Sequence, residues 1–477
     1  MPESLPNTIA QLRDLLLAKE LTPAQALTWQ HERIQLEAQG DTAIVECLDL
    51  DGLLNAKSEP APDPELKPLL GVGLAHKDIF NLNGRAPGLG MGPGQSAPGL
   101  ELAHPLDCLH QNGASQLAAL HMAPLAFGAT SSNPYLGACI NPLNAQAIVG
   151  GSSSGSAVAV AKGWVYASLG TDTAGSVRIP AASCGLVGLK TSHGLVSTQG
   201  CAPLAPDLDS VGVLARNFTD AKAVLLGSLS PAIVKQLLAK TSTHVGQSPR
   251  VGCYLPARLD AEVSHALLTF TKTFAHVRIT PELSQFQALS QRAEMLMLSQ
   301  MAQTHAREVS SKPAPFNKSD RYPSTLPLAL AESVLAGLAM PPSWGKEVQA
   351  LRLKSLQDFV SEVFADVDFL ILPALATALP FVEEVEPGTP DFEAQKLLGL
   401  HRYMGFVNYL GLPALVAPVA IDERGLPIGV QVLARPDQDV GLLDWAHHHW
   451  SQVLGWPGAL SCAQPGFVGR SLSPVFS

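Results

Sequence analysis

The chain has 477 residues, of which 46% are hydrophobic and 15% charged, and its formal net charge is -10 at pH 7. This length allows one large domain or about two to three ordinary ones, with enough apolar side chains for a large core. No run of lysine and arginine stands out, which argues against a surface for nucleic acid or anionic membrane. No stretch of about twenty apolar residues occurs, so the sequence predicts no transmembrane helix.

The first residues, MPESLPNTIAQL, lack a basic segment followed by an apolar one and so predict no secretory signal. The seven cysteines are scattered, odd in number and without a CxxC pair: Cys47, Cys108, Cys139, Cys184, Cys201, Cys253 and Cys462. This pattern favours reduced thiols over a disulfide framework or a zinc site. We therefore predict a cytoplasmic protein.

In the first third of the chain, residues 8–38 show apolar spacing typical of two helices, the second capped by Thr22 with Pro23 in its first turn. A short apolar run predicts a strand ending in AHKDIF, near residue 77. Residues 84–99 contain too much glycine and proline for regular structure and are predicted as a loop. Residues 121–134 are predicted as a strand followed by a polar loop.

Further along, apolar runs of strand length alternate with helical patterns; the predicted strands are 165–172, 187–192, 367–374, 414–421 and 425–435. Residues 285–365 are predicted as long amphipathic helices, broken by a polar, proline-rich segment at 310–327. A closing helix is predicted at 440–454.

The interleaving of helices and strands predicts an α/β fold. We expect a single large domain over residues 1–477, with a mixed, twisted central sheet covered by helices on both faces. Its core would comprise residues 60–280 and 366–460, with residues 285–365 as a helical excursion on the substrate side.

A glycine–serine segment, VGGSSSGSAVAVA, occupies residues 149–161. A flexible linker would stay polar, whereas this segment continues into residues of buried type. A phosphate-binding loop needs GxxxxGK[ST] or GxGxxG, and neither spacing is present. A structural turn and an active-site segment both remain open.

A second segment rich in small residues, GTDTAGSVRIPAASCGLVGLKTSHG, occupies residues 170–194. The backbone N–H groups of residues 173–176 could line a concave site and stabilise an oxyanion. A serine there could be a nucleophile, but its hydroxyl needs a base. No histidine lies in an obvious triad motif. Lys77 closes an apolar run and could be a desolvated, neutral base, although a salt-bridged lysine at a strand end is the alternative.

Together these segments resemble the amidase signature family. The resemblance rests on AHKDIF around Lys77, GGSSSGSAVAVA from Gly150 and GTDTAGSVRIPAASCGLVGLKTSHG from Gly170, with weaker support from DFLILPA and NYLGLPALVAP near the C-terminus. It covers about residues 10–460.

The resemblance implies a Ser–cisSer–Lys triad in which Lys77 is the base, Ser152 the bridging serine and Ser176 the nucleophile. The peptide bond between Gly151 and Ser152 would be cis. The oxyanion hole would consist of the backbone N–H groups of Thr173, Ala174, Gly175 and Ser176. The implied reaction hydrolyses an amide through an acyl-enzyme, with no metal or cofactor.

Neighbouring residues carry expectations of their own. Ser153 either supports the triad by hydrogen bonding or is a plain turn residue. Asp172 and Arg178 are expected to pair, because a lone buried charge is unfavourable; the alternative for Arg178 is to hold a substrate carboxylate. His76 is expected to be structural rather than to tune Lys77.

Further features bear on metal binding and specificity. The histidines at 447–449 are expected on a solvated helix face rather than in a metal site. Met295, Met297, Met301 and Met340 are expected to pack ordinarily between helices, with a flexible apolar wall as the alternative.

The sequence departs from the usual family pattern at Ser154-Gly155 and Ala174, where the side chains stay small, and in FGATSSNP, which lacks the lysine common there. The last departure puts the substrate in doubt rather than the mechanism. The resemblance implies a small-molecule amide substrate and favours a homodimer. The alternatives are the glutamine-hydrolysing A subunit of a tRNA-dependent amidotransferase and a non-catalytic member.

Overall fold

The structure, a computed structural model, describes residues 6–49, 67–241, 249–274, 277–280, 285–310 and 327–454. Within these ranges the strands are β1 (Ile44–Cys47), β2 (Gly73–Lys77), β3 (Arg85–Ala86), β4 (Gln95–Ser96), β5 (Ser115–Leu120), β6 (Ala167–Asp172), β7 (Val187–Lys190), β8 (Ser210–Ala215), β9 (Val251–Tyr254), β10 (Val277–Thr280), β11 (Phe369–Pro373), β12 (Ala414–Ile421) and β13 (Pro427–Leu433).

The helices of the same ranges are α1 (Ile9–Leu17), α2 (Pro23–Glu37), α3 (His104–Gln111), α4 (Ser154–Ala161), α5 (Arg178–Ser183), α6 (Phe218–Gly227), α7 (Pro231–Thr241), α8 (Ala261–Thr271), α9 (Phe286–Ser310), α10 (Leu328–Ala339), α11 (Pro342–Ala350), α12 (Arg352–Val363), α13 (Val382–Val385), α14 (Ala394–Gly399), α15 (Gly405–Leu410) and α16 (Asp439–Leu454). No helix among the described residues combines the length and the apolar composition that crossing a bilayer requires.

Eleven of the described strands form one mixed sheet, in the order β1-β5-β2-β6-β8-β7-β12-β13-β11-β9-β10. β5, β2 and β6 are mutually parallel, as are β11, β9 and β10, whereas the central strands pair antiparallel. The fold is therefore a single α/β domain with a mixed sheet, as the sequence predicts.

Both faces of the sheet are covered by apolar core. Leu74 and Ala75 are neighbours on β2 but belong to different buried clusters, because successive side chains of a strand point to opposite faces. Leu415 and Val416 of β12 divide in the same way. Helix α4 consists only of buried residues, which explains why its sequence is apolar and small without a polar stripe.

Most predicted elements are confirmed. Thr22 accepts a hydrogen bond from the Gln25 amide at 3.2 Å, and Pro23 is the first residue of α2. The predicted strands at 165–172, 187–192, 367–374, 414–421 and 425–435 correspond to β6, β7, β11, β12 and β13. The helices predicted within 285–365 correspond to α9–α12, while the proline-rich break at 310–327 lies almost wholly outside the described residues.

The strand predicted at the start of 121–134 is wrong. The strand is β5, which ends at Leu120, and a short 3-10 helix follows at Pro124–Ala126. Leu125 and Ala126 have φ of 52° and 64°, a left-handed conformation that differs from the extended backbone of a regular strand. The loop predicted at 84–99 also holds one short ribbon, formed by β3 and β4.

Candidate active site

The site forms where two neighbouring parallel strands end. β2 ends at Lys77 and β6 ends at Asp172, and the two strands pair directly. The carboxyl ends of parallel strands meet at one edge of a sheet, where loops can converge on a ligand. The glycine–serine loop before α4 and the loop between β6 and α5 both converge on this edge.

Lys77 is fully buried, and its Nζ lies 2.8 Å from the Ser152 Oγ and 2.9 Å from the Thr171 Oγ1. Burial lowers the pKa of Lys77 to about 7, because an ammonium ion loses its hydration there; Asp209 and Asp172 oppose the shift. Near neutral pH a large fraction of Lys77 is therefore the free amine, which is the form that can accept a proton.

The Gly151–Ser152 peptide bond is cis, as the family resemblance implies. Gly150 has a φ of +81°, a conformation that favours glycine. A Cβ on Gly151 would lie 2.6 Å from the carbonyl oxygen of Gly128, so a larger residue does not fit. The two glycines thus allow the backbone to bring Ser152 against the lysine.

Ser153 connects the glycine–serine loop to both neighbouring segments. Its backbone N–H donates to the Ser176 carbonyl at 3.2 Å, and its hydroxyl lies 3.5 Å from the Thr171 carbonyl. The Ser154 hydroxyl donates to the Gly150 carbonyl at 2.8 Å and closes the loop on itself. These contacts support the first of the two interpretations of Ser153, a residue that holds the site together.

The Asp172 carboxylate organises the loop that carries Ser176. It accepts from the Gly175 N–H at 2.8 Å and the Val177 N–H at 3.1 Å, and it forms a buried ion pair with Arg178 at 2.8 Å. Burial alone would raise the pKa of Asp172, but the Arg178 guanidinium and these hydrogen bonds hold it well below its usual range. The predicted pairing of Asp172 with Arg178 is therefore present.

Arg178 is fully buried, and each of its guanidinium nitrogens has an acceptor. Besides Asp172, the acceptors are Gln431 Oε1 and Asn408 Oδ1, both at 2.5 Å, and the Met404 carbonyl at 3.3 Å. No donor is left for a substrate carboxylate, so that alternative for Arg178 is wrong.

The four backbone amides predicted to line the oxyanion hole are not equivalent. The Gly175 N–H is engaged by Asp172, which removes it from the predicted set. Within the described part of the chain, the amides of Thr173, Ala174 and Ser176 have no acceptor. These three remain as candidate donors to an oxyanion.

Ser176 is 8% exposed, and its hydroxyl has no hydrogen-bond partner among the residues that the structure describes. Lys77 and Ser152 are thus in contact, but the predicted hydrogen bond between Ser152 and Ser176 is not formed in this structure. Contacts of this kind are often looser in ligand-free enzymes than in complexes with substrate.

Three contacts at the site were missed from the sequence. Thr171 binds Lys77, and the Asp209 carboxylate accepts from the Thr173 hydroxyl at 2.6 Å. His401 lies with its Nδ1 2.8 Å from the carbonyl oxygen of Ala174. Thr171 lies within the second small-residue segment and could have been suspected, whereas the other two have no local pattern that marks them.

His76 makes contacts of the kind expected for a structural histidine. Its Nδ1 lies 3.2 Å from Gln116 Oε1, and its ring packs edge-on against Phe80. Burial lowers its pKa to about 3, so it is neutral at physiological pH.

The histidines at 447–449 are partly as expected. His447 and His448 are exposed, but the His449 ring is half-buried and contacts Trp445. Within the described residues, no group of histidine, cysteine and carboxylate side chains could hold a metal ion. The six described cysteines are free thiols, and Cys462 lies outside the described residues.

The methionines of the helical excursion pack as ordinary core residues. Met301 is fully buried, and Met295 and Met297 are partly buried against the neighbouring clusters. Met340, which follows the last residue of α10, is also partly buried.

Comparison with known sequences gives a consistent result. The sequence model of the family described as Amidase matches residues 26–443. The chain is 30% identical to the A subunit of a glutamyl-tRNA(Gln) amidotransferase from Psychrobacter cryohalolentis, covering 82% of this chain and 84% of that protein. It is 29% identical to a fatty acid amide hydrolase from Arabidopsis thaliana, covering 71% of this chain and 57% of that protein.

Solved structures share the fold. A crystal structure of an amidase superposes with a TM-score of 0.75 at 27% identity, covering 93% of this chain and 99% of the other. A 6-aminohexanoate cyclic dimer hydrolase superposes with a TM-score of 0.77 at 21% identity, covering 95% and 98%. The second likeness bears on the fold alone.

Proposed function

Because the chain belongs to the amidase family of hydrolases, which act on carbon–nitrogen bonds other than peptide bonds, we propose that it is a free-standing amidase using Ser176, Ser152 and Lys77. The substrate would be a small carboxylic amide, and the products an acid and either ammonia or an amine. The reaction would pass through an acyl-enzyme on Ser176.

The observation that carries the proposal is the buried contact between Lys77 and Ser152 at 2.8 Å. A serine hydroxyl is a weak nucleophile unless a base takes its proton. A lysine whose pKa lies at about 7 can act as that base near neutral pH. The hydrogen bond from the Ser153 N–H to the Ser176 carbonyl holds the loop of the nucleophile beside Lys77 and Ser152.

In the first half-reaction, neutral Lys77 accepts the proton of Ser152, which accepts the proton of Ser176. The Ser176 Oγ forms a bond to the amide carbonyl carbon, and the resulting oxyanion lies against the backbone N–H groups of Thr173, Ala174 and Ser176. The carbon–nitrogen bond then breaks, and the proton returns through Ser152 to the departing nitrogen.

In the second half-reaction, water takes the place of Ser176 as the nucleophile. The relay accepts a proton from the water, which attacks the acyl carbonyl. The Ser176 oxygen leaves with the returned proton, and the acid is released.

A second candidate function is hydrolysis of glutamine as the A subunit of an amidotransferase. It is favoured by the 30% identity to a protein of that kind over 82% of this chain. This function would show glutamine hydrolysis only beside partner subunits, whereas a free-standing amidase acts alone.

The test is release of ammonia or amine from purified protein with a panel of amides: acetamide, longer aliphatic amides, benzamide, anilides, ureas, carbamates and glutamine. We expect release from at least one class, with a loss of about 10⁴-fold or more in Ser176→Ala, since nucleophile removal abolishes the acyl-enzyme route. Turnover of glutamine alone, and only with partner subunits, would favour the second candidate. Release that Ser176→Ala leaves intact would contradict the proposal.

A further inference from the structure

The described part of the chain contains a histidine beside the nucleophile that the proposed mechanism does not use. His401 lies in the turn before α15, 227 positions from Ala174 in sequence, and its Nδ1 is 2.8 Å from the Ala174 carbonyl oxygen. The His401 side chain keeps accessible surface, although enough neighbouring atoms surround its imidazole for burial to lower its pKa.

The Ala174 carbonyl and the Gly175 N–H belong to the same peptide unit. The carbonyl end is held by His401, and the N–H end donates to Asp172 at 2.8 Å. A peptide unit fixed at both ends cannot rotate without breaking a hydrogen bond. The amides of Ala174 and Ser176 belong to the peptide units on either side, so fixing this unit restricts the directions that they can take.

The segment around His401 makes further contacts with the same loop. The Met404 carbonyl accepts from Arg178, and the Asn408 side chain donates to the Asp172 carbonyl at 2.8 Å. These two contacts lie in the buried network, so they hold the segment in place independently of His401. These contacts therefore fix the position of the backbone that carries His401 next to Ala174.

The contact also determines how the imidazole is protonated. A carbonyl oxygen only accepts, so Nδ1 must carry the hydrogen. Both the neutral Nδ1–H tautomer and the imidazolium satisfy this requirement. The contact therefore persists on either side of the imidazole titration. Burial lowers the pKa of His401, whereas its hydrogen bond to Ala174 and the charge of Asp172 oppose that shift.

We infer that His401 is a positioning residue, whose Nδ1–H fixes the Ala174–Gly175 peptide so that the neighbouring amides face the oxyanion. The inference rests on the proposed function, because it assigns those amides to the oxyanion hole. Loss of one direct oxyanion donor lowers kcat by about 10²–10³. An indirect contact should have a smaller effect, on the order of 10-fold in kcat with KM little changed.

The test compares His401→Asn with His401→Gln. The Asn amide nitrogen occupies the same branch position as Nδ1 and can donate to Ala174, whereas the Gln amide nitrogen lies one bond further out, like Nε2. We expect Asn to retain kcat within about 3-fold of the original enzyme, and Gln and His401→Leu to lose about 10-fold. His448→Ala, which removes an exposed histidine of α16, serves as the matched control and should change nothing.

Three readouts separate positioning from other roles. An aldehyde or boronic acid analogue of the best substrate forms a tetrahedral adduct on Ser176. Its affinity should fall in the Gln and Leu variants by the same factor as kcat. The pH profile of kcat should keep its shape in His401→Asn. If His401 transferred a proton, the substitution would remove one limb of that profile. Hydrogen exchange of the 173–177 peptide should accelerate in Gln and Leu but not in Asn.

Hydrogen exchange needs no turnover, so it tests the inference even if no substrate is found. Equal kcat and equal exchange in Asn, Gln and Leu would overturn the inference while leaving Ser176-dependent amide hydrolysis intact. Amide hydrolysis that survives Ser176→Ala would instead overturn the proposed function. A loss of kcat in Asn as large as that in Leu would also contradict the positioning role.

Discussion

Burial decides the chemistry of Lys77. The same environment that lowers the pKa of its ammonium places it against two hydroxyls, those of Ser152 and Thr171, rather than against a carboxylate. A direct ion pair would have kept the lysine charged, which is the alternative that the sequence left open. Its hydrogen-bond partners are neutral hydroxyls, so Lys77 can exchange a proton near neutral pH.

The first prediction concerns the pH dependence of activity. The base must be neutral, and its pKa is about 7, so kcat/KM should rise with pH through about 7 and level off above it. Below about pH 6 it should fall about 10-fold per pH unit, since each unit lowers the neutral fraction 10-fold. Lys77→Met should lower activity by about 10²–10⁴-fold and abolish this rise of kcat/KM with pH, the acid limb of the pH profile.

Lys190 provides the control for this experiment. It is also fully buried, and burial lowers its pKa, but it donates to the Thr191 carbonyl and the Ser210 hydroxyl rather than to Ser152. The limb should survive in Lys190→Met. A limb that survives in Lys77→Met and disappears in Lys190→Met would mean that the wrong lysine has been assigned.

At this scale the sequence predicts positions better than roles. The family resemblance indicated Lys77 and Ser152, which are in contact. It did not reveal that the Gly175 amide is taken by Asp172, because that depends on a side chain folding back on its own loop. Nor could it place His401, since nothing local to residue 401 indicates a contact with residue 174.

At the scale of elements, one attachment of the helical excursion to the site is the Asp207 carboxylate. Asp207 accepts from Gln300 of α9 at 2.6 Å and from Gln349 of α11 at 2.5 Å. Two residues further along, Asp209 accepts from the Thr173 hydroxyl. The loop between β7 and β8 therefore connects the excursion to the nucleophile loop.

The second prediction tests this connection. Asp207→Ala leaves the buried amide group of Gln300 without its acceptor, and also removes the contact to the exposed Gln349. It should lower the free energy of unfolding by about 1–3 kcal/mol. Asp358→Ala is the matched control, because Asp358 pairs with Lys354 on the exposed face of α12. It should change stability by no more than about 0.5 kcal/mol. The measurement is urea denaturation of both variants; equal effects would contradict the connection.

Elements with strong periodicity were predictable, and their exceptions have local causes. Helices α9–α12 follow from amphipathic spacing, and β11–β13 from continuous apolar runs. The error at 121–134 arose because an apolar run does not reveal left-handed backbone at Leu125 and Ala126, which are not glycines. The attachment of the excursion through Asp207 could not be predicted, because it joins residues 93 and 142 positions apart.

At the scale of the whole molecule, the site depends on strand order. β2 and β6 are neighbours in the sheet although about 90 residues separate them, and helix α4 runs between the two in sequence. Alternation of helices and strands predicts an α/β fold but leaves many possible strand orders. The resemblance to a known family supplied the triad, and the structure brings Lys77 and Ser152 together at the edge where β2 and β6 end.

The central claim is that the reaction passes through an acyl-enzyme on Ser176, and trapping that species tests it most directly. The protein is mixed with its best amide or with an activated ester of the same acid, quenched in acid during turnover, and analysed by intact-mass and peptide mass spectrometry. We predict a mass increase equal to the acyl group, located on the peptide that carries Ser176 and absent in Ser176→Ala. Two results would contradict the account. The first is turnover that gives neither a mass adduct nor, when hydroxylamine is added, a hydroxamate. The second is an adduct that persists in Ser176→Ala.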